Sequence, residues 1–381
     1  MSGAARAARA ARAAVAVMAG TAAVSLAGLT PVSPTTPAGA STPPHHARAV
    51  ARKVVARGLR GPRDIAFGPH GVMYVAEAGQ GGSGTCVAGL DGPSCLGWTG
   101  SVTRVRKGRQ HRVLTGLASL SDQHTHASPI GPSGLAVVGR HTLVLTLGLG
   151  ADPRSRGRLP ARARKQLGRL VSVDLRTTRV RSVADLASYE RKANPVDDPD
   201  SDPAGLVKGT HGSWLVADAG GNDLVRATGA KVKTVARFKN RKTGGRAYES
   251  VPTDVVRGPD GAYYVSELTG YPDPRGKARI WRVVPGHKPK VWATGLTDVT
   301  GLAWDGRKLY AVQIADHGLS GGGTPLGSLR RVFPKSAGRA PAVVAANLFA
   351  PYGVAIHHGA AYVSTGAVAA TDGTVVKIPL G

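Results

Sequence analysis

Three acidic residues close closely similar apolar tetrads: Glu77 in YVAE, Asp218 in LVAD and Glu267 in YVSE. The apolar run before each one predicts a strand, so each carboxylate stands where a strand opens into a loop. If such ends from different repeats converge on one channel mouth, they make a candidate site. It could hold a calcium ion or move protons in acid–base chemistry. Asp64 and Asp254, at the starts of the preceding strands, could join them. The structural alternative is plainer: a carboxylate at a strand end accepts backbone N–H bonds from the neighbouring loop and does no chemistry.

Other residue types carry less. Asp197, Asp198, Asp200 and Asp202 crowd PVDDPDSDP, but the order D-x-D-x-D-G and the distal Glu of an EF-hand loop are missing, and three prolines stiffen the segment. It reads as a solvated acidic loop. His124 and His126 in SDQHTHASP have no HExxH around them and read as surface histidines. No GxSxG, Cys/His pair, P-loop or dinucleotide fingerprint occurs, so a nucleophilic hydrolase and a nucleotide-dependent enzyme are unsupported. Cys86 and Cys95 are the only cysteines and lie in one loop, which predicts a local disulfide. Arg154, Arg156, Arg158, Arg162 and Arg164 would put a basic arc beside the acidic positions, suited to an anionic ligand or polymer.

The elements that position these residues repeat. PRDIAFGPHGVMYVAE from Pro62 returns as PSGLAVVGRHTLVLT from Pro132, PAGLVKGTHGSWLVAD from Pro203, PTDVVRGPDGAYYVSE from Pro252, VTGLAWDGRKLYAVQ from Val299 and PYGVAIHHGAAYVS from Pro351. Each is strand, tight Gly-rich turn, strand. A third strand follows each pair, as in SVTRV, RLVSV, DLVR, RIWRV, SLRRV and TVVK, and a fourth completes most units. Six such units predict an all-β, six-bladed β-propeller of four-stranded blades. The last unit lacks its outermost strand, whereas Val54-Val55-Ala56 precedes the first unit as a spare. The expected closure is therefore an N-terminal strand, 54–57, completing the last blade and removing a sheet edge. The first two strands are joined by short turns. Length collects between strands two and three (78–100, 148–168, 268–277, 314–327) and between units (185–202, 238–250). All of these emerge on one rim, the usual place for function on a rigid scaffold.

Composition bounds the setting. Lys and Arg exceed Asp and Glu by 27. That favours anionic partners, but the charges are spread over many strands and loops and no nucleic-acid motif accompanies them, so no specific nucleic-acid role is expected. Arg6, Arg9 and Arg12, the apolar stretch 13–29 and Ala38-Gly39-Ala40 read as a secretory signal peptide over 1–40. A Pro/His leader, 41–53, precedes one propeller domain, 54–381. The expected protein is secreted, without an integral membrane segment after signal removal, and monomeric.

YVAEAGQGG with its two following cysteines, VADAGGNDLVR, SVPTDVVRGPDGAYYVSELTGYP and the export signal resemble the ScyD/ScyE family of exported proteins, which belongs with six-bladed NHL-like propellers. The similarity runs from about Val54 to the C-terminus. It implies the propeller fold but no settled catalytic residues. Gln313 departs from the family-like acidic strand ends, and 148–168 is unusually rich in arginine. Two function classes follow. The first is a non-catalytic binding or scaffold protein that uses the long-loop rim for a small molecule, glycan or protein, or for an anionic cell-wall polymer, with no cofactor. The alternative is a metal-dependent hydrolase of the lactonase or strictosidine-synthase-like type, with a calcium ion at the channel mouth. Such enzymes need carboxylate and Asn ligands at axis-facing strand starts. The matching positions are read as Asp64, Ser133, Ala204, Asp254, Thr300 and Tyr352, of which two are carboxylates and none is Asn.

Overall fold

The computed structural model describes residues 52–89, 92–193 and 199–381. The expected signal peptide, almost all of the leader, and Asp197 and Asp198 lie outside the described residues.

The chain is all-β. β1 (Lys53–Leu59) is followed by β2 (Pro62–Phe67), β3 (Met73–Glu77), β4 (Cys86–Gly89), β5 (Gly92–Arg106) and β6 (Arg109–Asp122). β7 (Pro132–Val138), β8 (Thr142–Leu147), β9 (Arg169–Asp174) and β10 (Arg179–Asp185) form the next set. β11 (Pro203–Lys208), β12 (Trp214–Asp218), β13 (Asp223–Thr228) and β14 (Lys231–Arg237) form another, followed by the short β15 (Arg241–Thr243) and β16 (Arg246–Tyr248). Then come β17 (Pro252–Arg257), β18 (Tyr263–Glu267), β19 (Ala278–Val283) and β20 (Lys290–Leu296), and β21 (Val299–Asp305), β22 (Lys308–Gln313), β23 (Leu326–Val332) and β24 (Ala342–Phe349). β25 (Val354–His357), β26 (Ala360–Thr365) and β27 (Gly373–Pro379) end the chain.

Five antiparallel sheets have four strands, one has five, and β15–β16 form a two-stranded sheet; most strands lie beside their sequence neighbours. β2-β3-β5 carries β6 on its outer side and β4 as an added strand. In one sheet the order is β1-β27-β26-β25, with Val54 opposite Val376. This stack of four-strand meanders is a β-propeller architecture. Every predicted strand–turn–strand pair is present as a hairpin of the predicted residues.

The core lies between sheets rather than inside any one of them. Tyr74, Ala76 and Val102 pack on Leu143, Leu145 and Val171 of the next sheet. Ile65, Met73 and Val75 pack on Ala56, Leu59 and Val375 of the β1–β27 sheet. Period-two alternation therefore buries apolar residues on both faces of each sheet, against one neighbour or the other.

The long connections hold more structure than expected. Segment 78–100 folds back as the β4–β5 hairpin, closed by the Cys86–Cys95 disulfide. Segment 148–168 contains the helical turns Pro153–Arg158 and Ala161–Arg164. Segment 185–202 starts with the helix Leu186–Ala193, and 238–250 contains the β15–β16 hairpin.

Candidate functional site

Each strand-end acid is engaged by its own set of donors. Glu77 is fully buried and accepts from Thr103 Oγ1 at 2.6 Å, Arg112 Nε at 3.2 Å and Nη2 at 2.9 Å, and the backbone N–H of Arg60 at 2.8 Å. Glu267, also fully buried, takes both arms of Arg241 at 2.7 Å, the Trp281 indole N–H, and the N–H of Arg279. Asp218 accepts from Ser201 Oγ at 2.8 Å and from the N–H groups of Asp202 and Gly221. Each of the three has its own hydrogen-bond set, as the structural alternative expects. Gln313 holds the equivalent place by accepting the N–H of Thr297 at 2.9 Å, so the position requires an acceptor rather than a charge.

Asp64 and Asp254 behave differently. They stand two residues after the proline that opens β2 and β17. The pairing register makes Pro62, Pro132, Pro203, Pro252 and Val299 equivalent, since each lies opposite the last residue of its hairpin partner. The equivalents of Asp64 and Asp254 are therefore Gly134, Gly205, Gly301 and Gly353. This corrects the axial set read from sequence, which mixed two neighbouring positions. Ser133, Ala204, Thr300 and Tyr352 instead align with Arg63 and Thr253.

The glycines have a physical reason. The first strand of the next sheet passes so close that a Cβ on Gly134 would run into Ala204 O, on Gly301 into Tyr352 O, and on Gly353 into Arg63 O. At the two exceptional positions an aspartate reaches across. Asp64 Oδ1 accepts from the N–H of Ile65 at 2.7 Å and Oδ2 from Leu135 at 3.1 Å in the next sheet. Asp254 Oδ1 accepts from Val255 at 2.7 Å and Oδ2 from Leu302 at 2.8 Å, again in the next sheet.

Burial, and then the charge of Asp254, push Asp64 well above the usual carboxylate range, against two backbone N–H bonds that pull it down. Burial pushes Asp254 up to about 6 against its own two N–H bonds. The charge of Asp254 thus bears on Asp64 although the two come from sheets far apart in sequence. Both stay partly open to solvent.

Arg63, Ser133, Asp202 and Tyr352 complete the constellation. The Arg63 guanidinium lies 4.5 Å from the centre of the Tyr352 ring and donates to Ala367 O at 2.7 Å and to Pro129 O. Burial raises the Tyr352 hydroxyl; Arg63 and a Ser133 hydrogen bond oppose that, while the charges of Asp202 and Asp254 add to it. Burial, then the charges of Asp200 and Asp218, lift Asp202 to about 7. Arg63 was not among the residues singled out from sequence. Its signal was the residue type at the position directly after the opening proline, visible only once the register is right.

A calcium ion takes roughly 6–8 oxygen ligands. Here every carboxylate oxygen of Asp64 and Asp254 already accepts a backbone N–H, and the Arg63 cation belongs to the same constellation. Among the described residues no group of three or more His, Cys, Asp or Glu side chains could hold a metal. The residues present do not fit a resident divalent ion. His124 sits in a turn capped by Asp122, and His126 Nδ1 lies 2.9 Å from Gln80 O.

No protein-family model matches this chain, and no curated protein does. Solved structures do. The gluconolactonase XC5397 from Xanthomonas campestris is 12% identical, with 87% of this chain and 90% of that one covered, at a TM-score of 0.51. The calcium-binding protein regucalcin from Agrobacterium tumefaciens str. C58 is 11% identical over 87% of this chain and 96% of that one, at a TM-score of 0.50. At such identities the likeness establishes the fold alone, a β-propeller.

Proposed function

We propose that this chain is an exported, ScyD/ScyE-like, six-bladed β-propeller that opens small lactones at its axis without a metal, with Asp254 as general base and Asp64 as general acid. The observation that carries the reading is that Asp64 and Asp254 hold the strand-start position where the other sheets carry glycine, each half-buried and each raised, chiefly by burial. Two raised carboxyls of this kind can serve as a proton donor and a proton acceptor. Asp254 takes a proton from water as the water oxygen bonds to the lactone carbonyl carbon. The ring C–O bond breaks, and the leaving oxygen takes the proton of Asp64. Exchange with solvent moves the proton from Asp254 back to Asp64. Tyr352 and Arg63 position the substrate's polar edge.

Support for six blades is the five four-strand sheets together with the five-strand sheet of β2, β3, β5, β6 and the added β4. Support for closure is the β1–β27 pairing, together with first strands that touch in order from β2 through β7, β11, β17, β21 and β25 and back to β2. Support for export is the n-region, apolar run and A-x-A pattern of residues 1–40.

A second reading, non-catalytic binding on the long-loop rim, draws on the disulfide-clasped hairpin. Beyond its clasp the hairpin's second strand presents Trp98, 36% exposed, with the Arg162 guanidinium 4.3 Å from its ring centre. Proton release from a panel of γ- and δ-lactones at pH 7, with and without EDTA, separates the readings. The expected result is EDTA-insensitive hydrolysis that falls at least about 100-fold in a folded D254N variant. Activity abolished by EDTA, or retained in D254N, overturns the proposed mechanism. With no lactone hydrolysed, the catalytic reading fails and the rim-binding one stands.

A further inference from the structure

The arginine-rich segment between β8 and β9 is not a solvated loop. Leu159, Ala163 and Leu167 are buried in a cluster with Val87, Leu96, Leu149 and Ala187. The helical turns therefore hold their side chains at fixed places against the helix Leu186–Ala193. Between them lies a cleft of about 390 Å³ whose lining includes Arg154, Arg156, Arg164, Lys165, Arg169 and Arg191, with Ser188 and, among the described residues, no acidic one. The basic arc read from sequence is thereby divided. Arg162 turns away to Trp98 and Gly116 O, and Arg158 does not line the cleft.

The charges do not balance internally. Asp185 serves two guanidinium groups: Arg156 at 2.8 and 2.9 Å, and Arg169 at 2.6 Å. Arg156 also donates to Leu167 O and Ser188 Oγ, which fixes it as the rigid floor of the cleft. Arg154 meets Asp152 only at 3.5 Å. Among the described residues no carboxylate pairs with Arg164, Lys165 or Arg191. Among the described residues, six cations thus share two carboxylates in a concave place that packing enforces. Arginine forks suit the oxygens of a phosphate better than a single carboxylate.

We propose that this cleft binds a small phosphorylated molecule, with the phosphate on Arg154, Arg164, Lys165 and Arg191 above the Arg156–Asp185–Arg169 floor. The volume falls within the range of about 300–1,000 Å³ typical of small-molecule sites, which leaves room for a sugar-sized group beside the phosphate. The cleft belongs to the second sheet and its flanking helices, and the lactone-opening reading does not depend on it.

The test is calorimetric titration of the full chain with glucose 6-phosphate, with glucose as the uncharged control. A phosphodiester polymer, poly(glycerol phosphate), and a single-stranded oligonucleotide are run as competing ligands, all at one ionic strength. Lys165→Gln with Arg191→Gln removes two exposed cations of the cleft. Arg140→Gln with Arg176→Gln removes the same charge from turns elsewhere. Glucose 6-phosphate should bind while glucose does not. The cleft variant should lose at least about tenfold in affinity and the control variant less than about twofold. Absence of glucose 6-phosphate binding, equal losses in the two variants, or binding of only the polymer or the oligonucleotide overturns the proposal.

Discussion

At the residue scale, the ends of the second strands show why like residues can serve unlike ends. Glu77 and Glu267 are buried ion-pair acceptors, each locked to one arginine from a neighbouring strand, Arg112 or Arg241. Asp218 and Gln313 use the same place for neutral donors. Burying a carboxylate is tolerable only while its partners remain, so removal of one partner is costly. Arg241→Ala should destabilise the protein by about 3–5 kcal/mol, since it strands a fully buried Glu267. Combining it with Glu267→Gln should recover part of that loss, as read from urea denaturation midpoints. If Arg241→Ala alone shifts the midpoint no more than a surface Arg→Ala change, Glu267 has another countercharge and the assignment fails. Asp64 and Asp254 were legible as acids at strand starts. Their relation to four glycines was not, because repeats without a gap can be aligned one residue out until the strand pairing fixes them.

At the element scale, the strand–turn–strand units were legible because proline opens most of them, a Gly-rich turn follows, and apolar residues run up to the polar end. The β4–β5 hairpin, the β15–β16 hairpin and the helix Leu186–Ala193 were not. Gly, Ser and charged residues in those stretches read as loop, and tertiary packing decides their structure instead. The helix, for example, is held by Leu186 and Ala187 buried against neighbouring sheets. The terminal strand was readable from an imbalance: one unit short of a strand and one strand to spare. Deleting residues 1–59 removes β1, exposes the edge of β27, and strips Leu59 and Ala56 from the core. The expected effect is a fall in Tm of about 10 °C or more, or loss of soluble protein. Deleting residues 1–49 should leave Tm unchanged within about 2 °C. Equal melting of the two truncations would show that β27 needs no partner. The disulfide acts on a smaller scale. Cys86→Ser with Cys95→Ser should cost about 2–3 kcal/mol at most, by releasing one short loop. Hydrogen exchange should rise in 84–97 and stay unchanged in β17–β20.

At the scale of the whole molecule, the buried acids set a pH dependence opposite to that of most proteins. Asp254 and Asp218 are raised to about 6, Asp202 to about 7 and Asp298 to about 8, chiefly by burial, while Asp64 and Asp223 stand well above the ordinary range. An acid whose pKa is higher folded than unfolded binds more protons when folded, so its contribution is complete below the unfolded pKa and is lost as pH rises through the folded one. Asp122, Asp185 and Asp260 are lowered, and their contribution is gained below about pH 5, where most other carboxylates also ionise. The excess of 27 positive charges grows further as pH falls through that same acid range, and self-repulsion then adds to instability. Between pH 5 and 8 the lowered carboxylates stay ionised; His357, lowered chiefly by burial, opposes the slope there, one group against the six raised acids, which govern it. Stability should therefore decline from pH 5 to pH 8. Asp298 is the cleanest probe. It is fully buried, accepts from the N–H of Leu319 at 2.9 Å and from Thr269 Oγ1 at 3.3 Å, and lies away from the axial pair. In Asp298→Asn the side-chain oxygen still accepts a hydrogen bond while the titration is gone. Urea midpoints of wild type and Asp298→Asn at pH 5, 6, 7 and 8 should diverge with rising pH, the variant losing less. A wild-type midpoint that climbs from pH 5 to 8, or two parallel curves, would mean that these carboxylates ionise on folding as freely as they do in water.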